Sequence, residues 1–315
     1  MEEQKKLISI ATPCYNEEGN IEQLYLQIKN IFKDLTKYDY EHIFIDNDYH
    51  DRSKEILKEI ASRDNNVKVI FNTRNFGQIR SPLYAMYQAK GDAIISVVAD
   101  LQDPPEMIPQ FLRKWEEGFK IVIGVKKKSE ENIIMFSIRK AFYKTLNKFS
   151  DIELVKNFTG FGLYDRSFIE IVKKINDPYP YFRGLIPEFG LQRCEIEYVQ
   201  PKRKKGKSAQ NFFSLYDVAM LGFVNYSRIP LRMASFIGFT IAFLSLLVAF
   251  GYFVYKLFFW YKFDLGLAPL VIGLFFFSSV QLIFIGIIGE YIGSILTQIQ
   301  HKDRPLVIEE ERINF

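Results

Sequence analysis

The sequence predicts an α/β protein, a mostly parallel sheet with helices on both faces, followed by a hairpin of two membrane-crossing helices. Three observations carry that reading. Short apolar runs alternate with helical periodicity up to residue 125, unusual polar residues follow four of those runs, and two long stretches further on carry no charge. Alternation of this kind packs helices on the two faces of a parallel sheet.

Residues 7–12 form a first apolar strand ending at Pro13. Asn20 is positioned to cap a helix in which Ile21, Leu24, Tyr25, Ile28, Ile31, Phe32 and Leu35 recur at steps of three and four. Residues 42–45, 67–71, 93–99 and 121–125 read as further strands. Residues 53–61, 82–90 and 105–115 read as the intervening helices.

Residues 233–255 and 265–289 are free of charged side chains. A bilayer core needs roughly 20 apolar residues in a helix, so each stretch is long enough to span it. Arg228 and Arg232 precede the first stretch, while His301, Lys302 and Arg304 follow the second. Lys256 and Lys262 in the connecting loop weaken that asymmetry. The N-terminal residues run directly into a strand without a signal peptide, so both termini are expected on the cytoplasmic side of the inner membrane. Upstream, Phe212, Phe213, Leu215, Tyr216, Ala219, Met220, Phe223 and Val224 make a mostly apolar stripe. It suits a helix on the membrane surface or one packed on the preceding domain. Glu290 ends the second stretch, within reach of the headgroups. Gly273, Gly286 and Gly289 are compatible with close helix packing and no more, so a homo-oligomer stays open.

Composition narrows the function. The net charge of +4 on 315 residues, with no interleaving of basic and aromatic residues, argues against nucleic acid as a partner. The 2 cysteines are far apart and fit a reducing compartment, and the 3 histidines lack zinc-ligand spacing. In a doubly wound sheet ligands bind beyond the carboxyl ends of the strands. Tyr15, Asn16 and Glu17 follow the first strand, and Asp46, Asn47 and Asp48 the second. Arg74, Asn75 and Gly77 follow the third, and Asp100, Gln102 and Asp103 the fourth. No glycine-rich phosphate loop follows the first strand, which disfavours a hydride-transferring dinucleotide site. Acidic groups beside an amide suit Mg2+ or Mn2+ carrying a diphosphate.

At these residues the chain resembles the inverting glycosyltransferases of family 2. Within that family it looks like the polyprenyl-phosphate glycosyltransferases, which include dolichol-phosphate mannose synthases and bactoprenol glucosyltransferases. The resemblance rests on Pro13 to Glu18, Arg74 to Gly77 and Ala99 to Glu106, and continues through Phe182 to Gly184, Arg203 with Gly206 and Ser208, Ile229 to Arg232 and Gly289 to Gly293. It implies a GT-A-like nucleotide-sugar domain over residues 1–210 and an amphipathic juxtamembrane segment over 211–232. Transmembrane helices follow at 233–256 and 265–289, and a cytoplasmic tail at 290–315 returns to the catalytic domain through an edge strand at 304–308. Pro13, Tyr15 and Glu17 would hold the nucleotide, with Asp46 reading its base; Arg74 and Asp100 belong to the same site. Asp100 and Gln102 would face the metal and diphosphate. Arg203 and Ser208 would close over donor and lipid phosphate, with Arg183 near that acceptor. Asp100 and Arg203 are the residues to which catalysis is assigned.

Three positions depart from the family pattern. Val98 stands where a second carboxylate is usual near the metal, Gly160 where the catalytic base is usual, and Ala209 where a lysine follows the glycine-x-serine. A sugar hydroxyl needs its proton removed. A phosphate monoester, with a second pKa of about 6, is already largely a dianion at pH 7. The reading is therefore transfer of one sugar from a nucleotide sugar, UDP-linked or GDP-linked, to undecaprenyl or another polyprenyl phosphate among the membrane lipids. A non-catalytic relative that recruits partners in a glycan pathway is the alternative. Two spans cannot line a channel, which disfavours a processive polysaccharide synthase.

Overall fold

The computed structural model describes residues 5–48, 50–127, 155, 157–177, 179–201, 220, 224, 227, 229–259, 267–301 and 304–315. Strand β1 (Lys6–Cys14) leads to α1 (Ile21–Asp34), β2 (Tyr38–Asp46), α2 (Ser53–Arg63), β3 (Val67–Asn72), α3 (Gly77–Gln88) and β4 (Ala93–Ser96). A short 3-10 turn (Pro105–Met107) precedes α4 (Ile108–Glu116) and β5 (Ile121–Lys126). Then come β6 (Phe158–Asp165), α5 (Arg166–Ile175), α6 (Phe182–Glu188) and β7 (Arg193–Tyr198). Two long helices, α7 (Ile229–Phe258) and α8 (Leu267–His301), precede the last strand, β8 (Glu309–Ile313).

The strands form one 8-stranded sheet in the order β7-β5-β6-β4-β1-β2-β3-β8. Pairings β1/β2, β1/β4, β2/β3 and β5/β7 are parallel. Strands β6 and β8 run antiparallel to their neighbours. From β1 the chain winds outward through β2 and β3, then returns to place β4 on the other side of β1. That reversal opens a crevice at the carboxyl ends of β1 and β4, where ligands of such sheets bind.

The apolar spacing of α1 explains its docking: Ile21, Leu24, Tyr25, Ile28 and Phe32 are all buried. They join Phe44, Phe71, Phe111 and Phe161 in the core on one sheet face. The opposite face is covered by α3, α5 and α6 through Met86, Phe168 and Ile186, packed on Ile43, Ile45 and Ile94. Central strands buried on both sides read as near-continuous apolar runs rather than alternation. One group of their few polar side chains gathers on Glu41. Ser9 donates to Glu41 at 2.5 Å, the Lys90 amide meets the same carboxylate at 2.6 Å, and Lys68 forms an ion pair with it. Gly91 lies so close to β1 that a Cβ there would sit 2.6 Å from the Ser9 hydroxyl.

Several boundaries differ from the sequence reading. The fourth strand stops at Ser96, and α3 begins at Gly77 because Pro82 is tolerated inside it. Asn20 does not cap α1 with its side chain; its amide donates instead to Glu17 Oε2 at 2.6 Å. The edge strand is β8, downstream of 304–308, although the Thr73 amide already meets the Ile308 carbonyl at 3.0 Å.

Helices α7 and α8 contain apolar spans Leu231–Tyr255 and Ile272–Gln300, each of mean hydropathy 2.2 and not buried against the rest of the protein. At 1.5 Å per residue such helices run roughly 45–50 Å, beyond the ~30 Å of a hydrocarbon core. They are long and apolar enough to cross a membrane. Glu290 lies inside the second span rather than at its end, because α8 continues to His301. Most of the 211–228 stripe lies outside the described residues.

Candidate active site

Four loops meet at the carboxyl edge of β1, β2, β3 and β4. The loops after β1 and β2 clasp each other through main-chain amides that donate to one carbonyl and two side-chain oxygens. The Asn47 amide meets the Cys14 carbonyl at 3.0 Å, the His50 amide meets Asn16 Oδ1 at 2.8 Å, and the Glu17 amide meets Ser53 Oγ at 3.1 Å. Asn16 and Asp48 hold positive φ of 55° and 74°, a conformation that asparagine and aspartate tolerate better than most residues. Pro13 and Tyr15 are half-buried there, and Glu17 is buried.

Asp46, the last residue of β2, is fully buried, and neither carboxylate oxygen has a hydrogen-bond partner among the described residues. Burial, then Asp51 and Asp48, push its carboxyl up to about 7. The same surroundings push the Cys14 thiol up, first by burial and then by Asp46. A buried carboxyl without partners is costly, and such groups concentrate where a ligand completes them.

Asn47 organises the loop after β3. Its amide nitrogen donates to Asn75 Oδ1 at 2.8 Å and to the Gly77 carbonyl at 3.3 Å. Its oxygen accepts from the Phe76 amide at 2.8 Å and from Asn72 at 3.2 Å. Asn72 also donates to Ser81 at 3.1 Å, so α3 is tied to the same hub. Arg74 is exposed and stacks 4.2 Å from the Phe76 ring centroid.

After β4, Leu101 adopts φ 59° and turns the chain so that Asp100 Oδ1 accepts from the Gln102 amide at 3.1 Å. Asp100 and Gln102 are half-exposed, whereas Asp103 is buried behind them. Tyr198 donates to Asp103 at 3.2 Å and the Val98 amide does so at 3.4 Å. Burial and then Asp100 push the Asp103 carboxyl up to about 7. Among the described residues no group of three or more His, Cys, Asp or Glu is arranged to hold a metal. One carboxylate and one amide oxygen nonetheless fit a hard cation that takes few protein ligands and completes its shell with diphosphate and water.

Gly160, in β6, has φ 108°, and a Cβ there would meet nothing within 4 Å. No carboxylate therefore stands at the position expected for a base. Asp165 is committed elsewhere: it accepts from the Ser167 amide at 3.0 Å and from Trp115 at 2.8 Å, capping α5. Arg183 is half-buried on α6. Arg203, Ser208 and Ala209 lie outside the described residues. Pro13, Tyr15, Glu17, Asp46, Arg74, Asp100 and Gln102 thus share one edge. Sequence reasoning missed Arg80 and the Asn72–Ser81 link, since nothing in an α3 pattern marks a buried arginine.

A doubly wound sheet with carboxylates along one strand edge and two long apolar helices defines the class: an α/β protein with two candidate membrane spans. The glycosyl transferase family 2 domain matches residues 9–172, and the chain belongs to that family. The uncharacterized glycosyltransferase YkcC of Bacillus subtilis is 34% identical over 304 residues, 96% of this chain and 93% of its own length. The bactoprenol glucosyl transferase of Shigella phage SfV is 31% identical over 306 residues, 97% of this chain and 99% of its own. Among solved structures, glucosyl-3-phosphoglycerate synthase from Mycobacterium tuberculosis, in complex with Mn2+, UDP and phosphoglyceric acid, aligns with a TM-score of 0.45. That alignment is 17% identical and covers 70% of this chain and 76% of the other.

Proposed function

We propose that the protein transfers one sugar from a nucleotide sugar, UDP-linked by preference, to a polyprenyl phosphate at the cytoplasmic face of the membrane, inverting the anomeric carbon. The observation that carries this reading is the match to a bactoprenol glucosyl transferase over 97% of the chain, apolar helices included. Residues 1–210 are read as the catalytic unit and α7 with α8 as its anchor, with both termini cytoplasmic.

Asp46 accepts an N–H of the nucleotide base, which gives a partner to one of its two unpartnered oxygens. Pro13, Tyr15 and Glu17 shape the wall beside it. Asp100 and Gln102 would hold Mg2+ or Mn2+, which would offset charge on the departing diphosphate. Arg183, Arg203 and Ser208 orient the acceptor phosphate. A phosphate oxygen attacks the anomeric carbon, the bond from that carbon to the diphosphate oxygen breaks, and the nucleoside diphosphate leaves with the electron pair. No proton has to be removed, which is why Gly160 is tolerable where a sugar-hydroxyl acceptor would need a base.

The test uses membranes containing the full chain, Mn2+ or Mg2+, a panel of labelled nucleotide sugars and undecaprenyl phosphate. Label extracted into organic solvent with at least one donor is the expected result. No product with any donor, together with no nucleotide binding, would overturn the reading in favour of a non-catalytic scaffold.

A further inference from the structure

We propose that Arg74 and Arg80, both at the Phe76 ring, together with Arg304 beside Pro305, form a binding site for a phosphate group, lipid-borne or free. Arg80 is the anchor. It is 7% exposed, its Nη2 donates to the Pro305 carbonyl at 2.6 Å, and its Nε is buried with no partner among the described residues. Its guanidinium lies 5.3 Å from the Phe76 ring centroid, and that of Arg74 lies 4.2 Å from the same ring. Arg304 precedes the residue whose carbonyl Arg80 holds. Among the described residues no carboxylate forms an ion pair with any of the three.

Buried charges are ordinarily paired, and like charges brought together repel. Burial, and then Arg74 and Arg304, hold the Arg80 guanidinium below its usual range. The first turn of α3 contains no acidic residue, so the positive end of that helix adds to the same field. An anion with several acceptor oxygens offsets all of these at once, and arginine forks match phosphate geometry. The position favours a membrane source, since Arg304 follows closely on the end of α8 at His301. Basic pockets beside membrane helices commonly take anionic headgroups. The resemblance gives Arg74 to the nucleotide; under this proposal it belongs to the phosphate site.

The site does not depend on the donor reading, and one experiment separates the two. The full chain in non-ionic detergent is melted thermally with dihexanoyl phosphatidic acid, dihexanoyl phosphatidylcholine, inorganic phosphate or UDP. Phosphatidic acid is expected to raise the melting temperature saturably while phosphatidylcholine does not. Arg74→Gln and Arg304→Gln, both at exposed positions, each shift the half-saturating concentration upward about 5- to 10-fold. Arg80→Gln also releases Pro305, so the test rests on the exposed pair. A response to inorganic phosphate that the same variants weaken supports the site with a free anion as its occupant. No response to either phosphate probe, or variants that respond as the parent does, overturns it. Asp46→Ala separates the readings: it is expected to lose the UDP response and keep the phosphatidic acid response. A parent chain that answers phosphatidic acid but not UDP would count against the donor reading alone.

Discussion

Replacing Asp46 by asparagine is expected to stabilise the ligand-free protein at alkaline pH while weakening donor binding. The carboxyl is fully buried with both oxygens unpartnered, and it is pushed from an ordinary 3.8 up to about 7. At 1.36 kcal/mol per unit, that displacement is worth about 4 kcal/mol against the folded state once both states are ionised, above pH 7. As pH falls through 7 the folded carboxyl takes up its proton, and the penalty shrinks until it is gone below about 4. An asparagine amide carries no charge but leaves its own groups unpaired, at roughly 1–3 kcal/mol. Asp46→Asn should therefore be more stable than the parent by roughly 1–3 kcal/mol at pH 8, and the advantage should vanish toward pH 5. Denaturant unfolding of the detergent-solubilised chain at the two pH values reads the difference, and UDP-induced stabilisation reads the lost binding. A variant less stable at pH 8, or an offset equal at both pH values, would refute the description of Asp46 as a desolvated carboxyl awaiting a partner.

Two further substitutions probe the edge. Asn47→Asp removes the donors to Asn75 Oδ1 and the Gly77 carbonyl and points a carboxylate at both acceptors, so a loss of roughly 2–3 kcal/mol in denaturant unfolding is expected. Gly160→Asp forces an L-residue into φ 108° and is expected to cost about 1–3 kcal/mol without raising transfer to a lipid phosphate; a several-fold gain in rate would contradict the base-free account.

Much of the architecture was legible because period and polarity agree. The steps of three and four from Ile21 to Phe32 predicted the buried face of α1, and the polar groups after four apolar runs fall on one edge as the topology requires. What escaped notice depends on contacts distant in sequence. Asn20 looked like a cap, yet Glu17 offered its side chain a nearer acceptor. The helical start at Gly77 was hidden by Pro82, which lies in the second turn of α3 and removes an N–H that would otherwise reach back to the Gln78 carbonyl. The pairing of β8 with β3 is accompanied by contacts from Asn314 to the carbonyls of Ala61 and Val67, at 2.8 and 2.9 Å, and from Lys54 and Lys58 to Glu310 and Glu311. No local pattern encodes those meetings. Arg80 escaped for the same reason: its burial follows from a tail more than two hundred residues away.

The central claim is that the acceptor is a phosphate because Gly160 stands where the family's base is usual. The most direct measurement offers the purified full chain, with its preferred nucleotide sugar and Mn2+, undecaprenyl phosphate in one reaction and undecaprenol in another. Transfer to the phosphate, with none to the alcohol, is the predicted result. Equal transfer to the alcohol would mean that a base operates in the site after all, and would contradict the account.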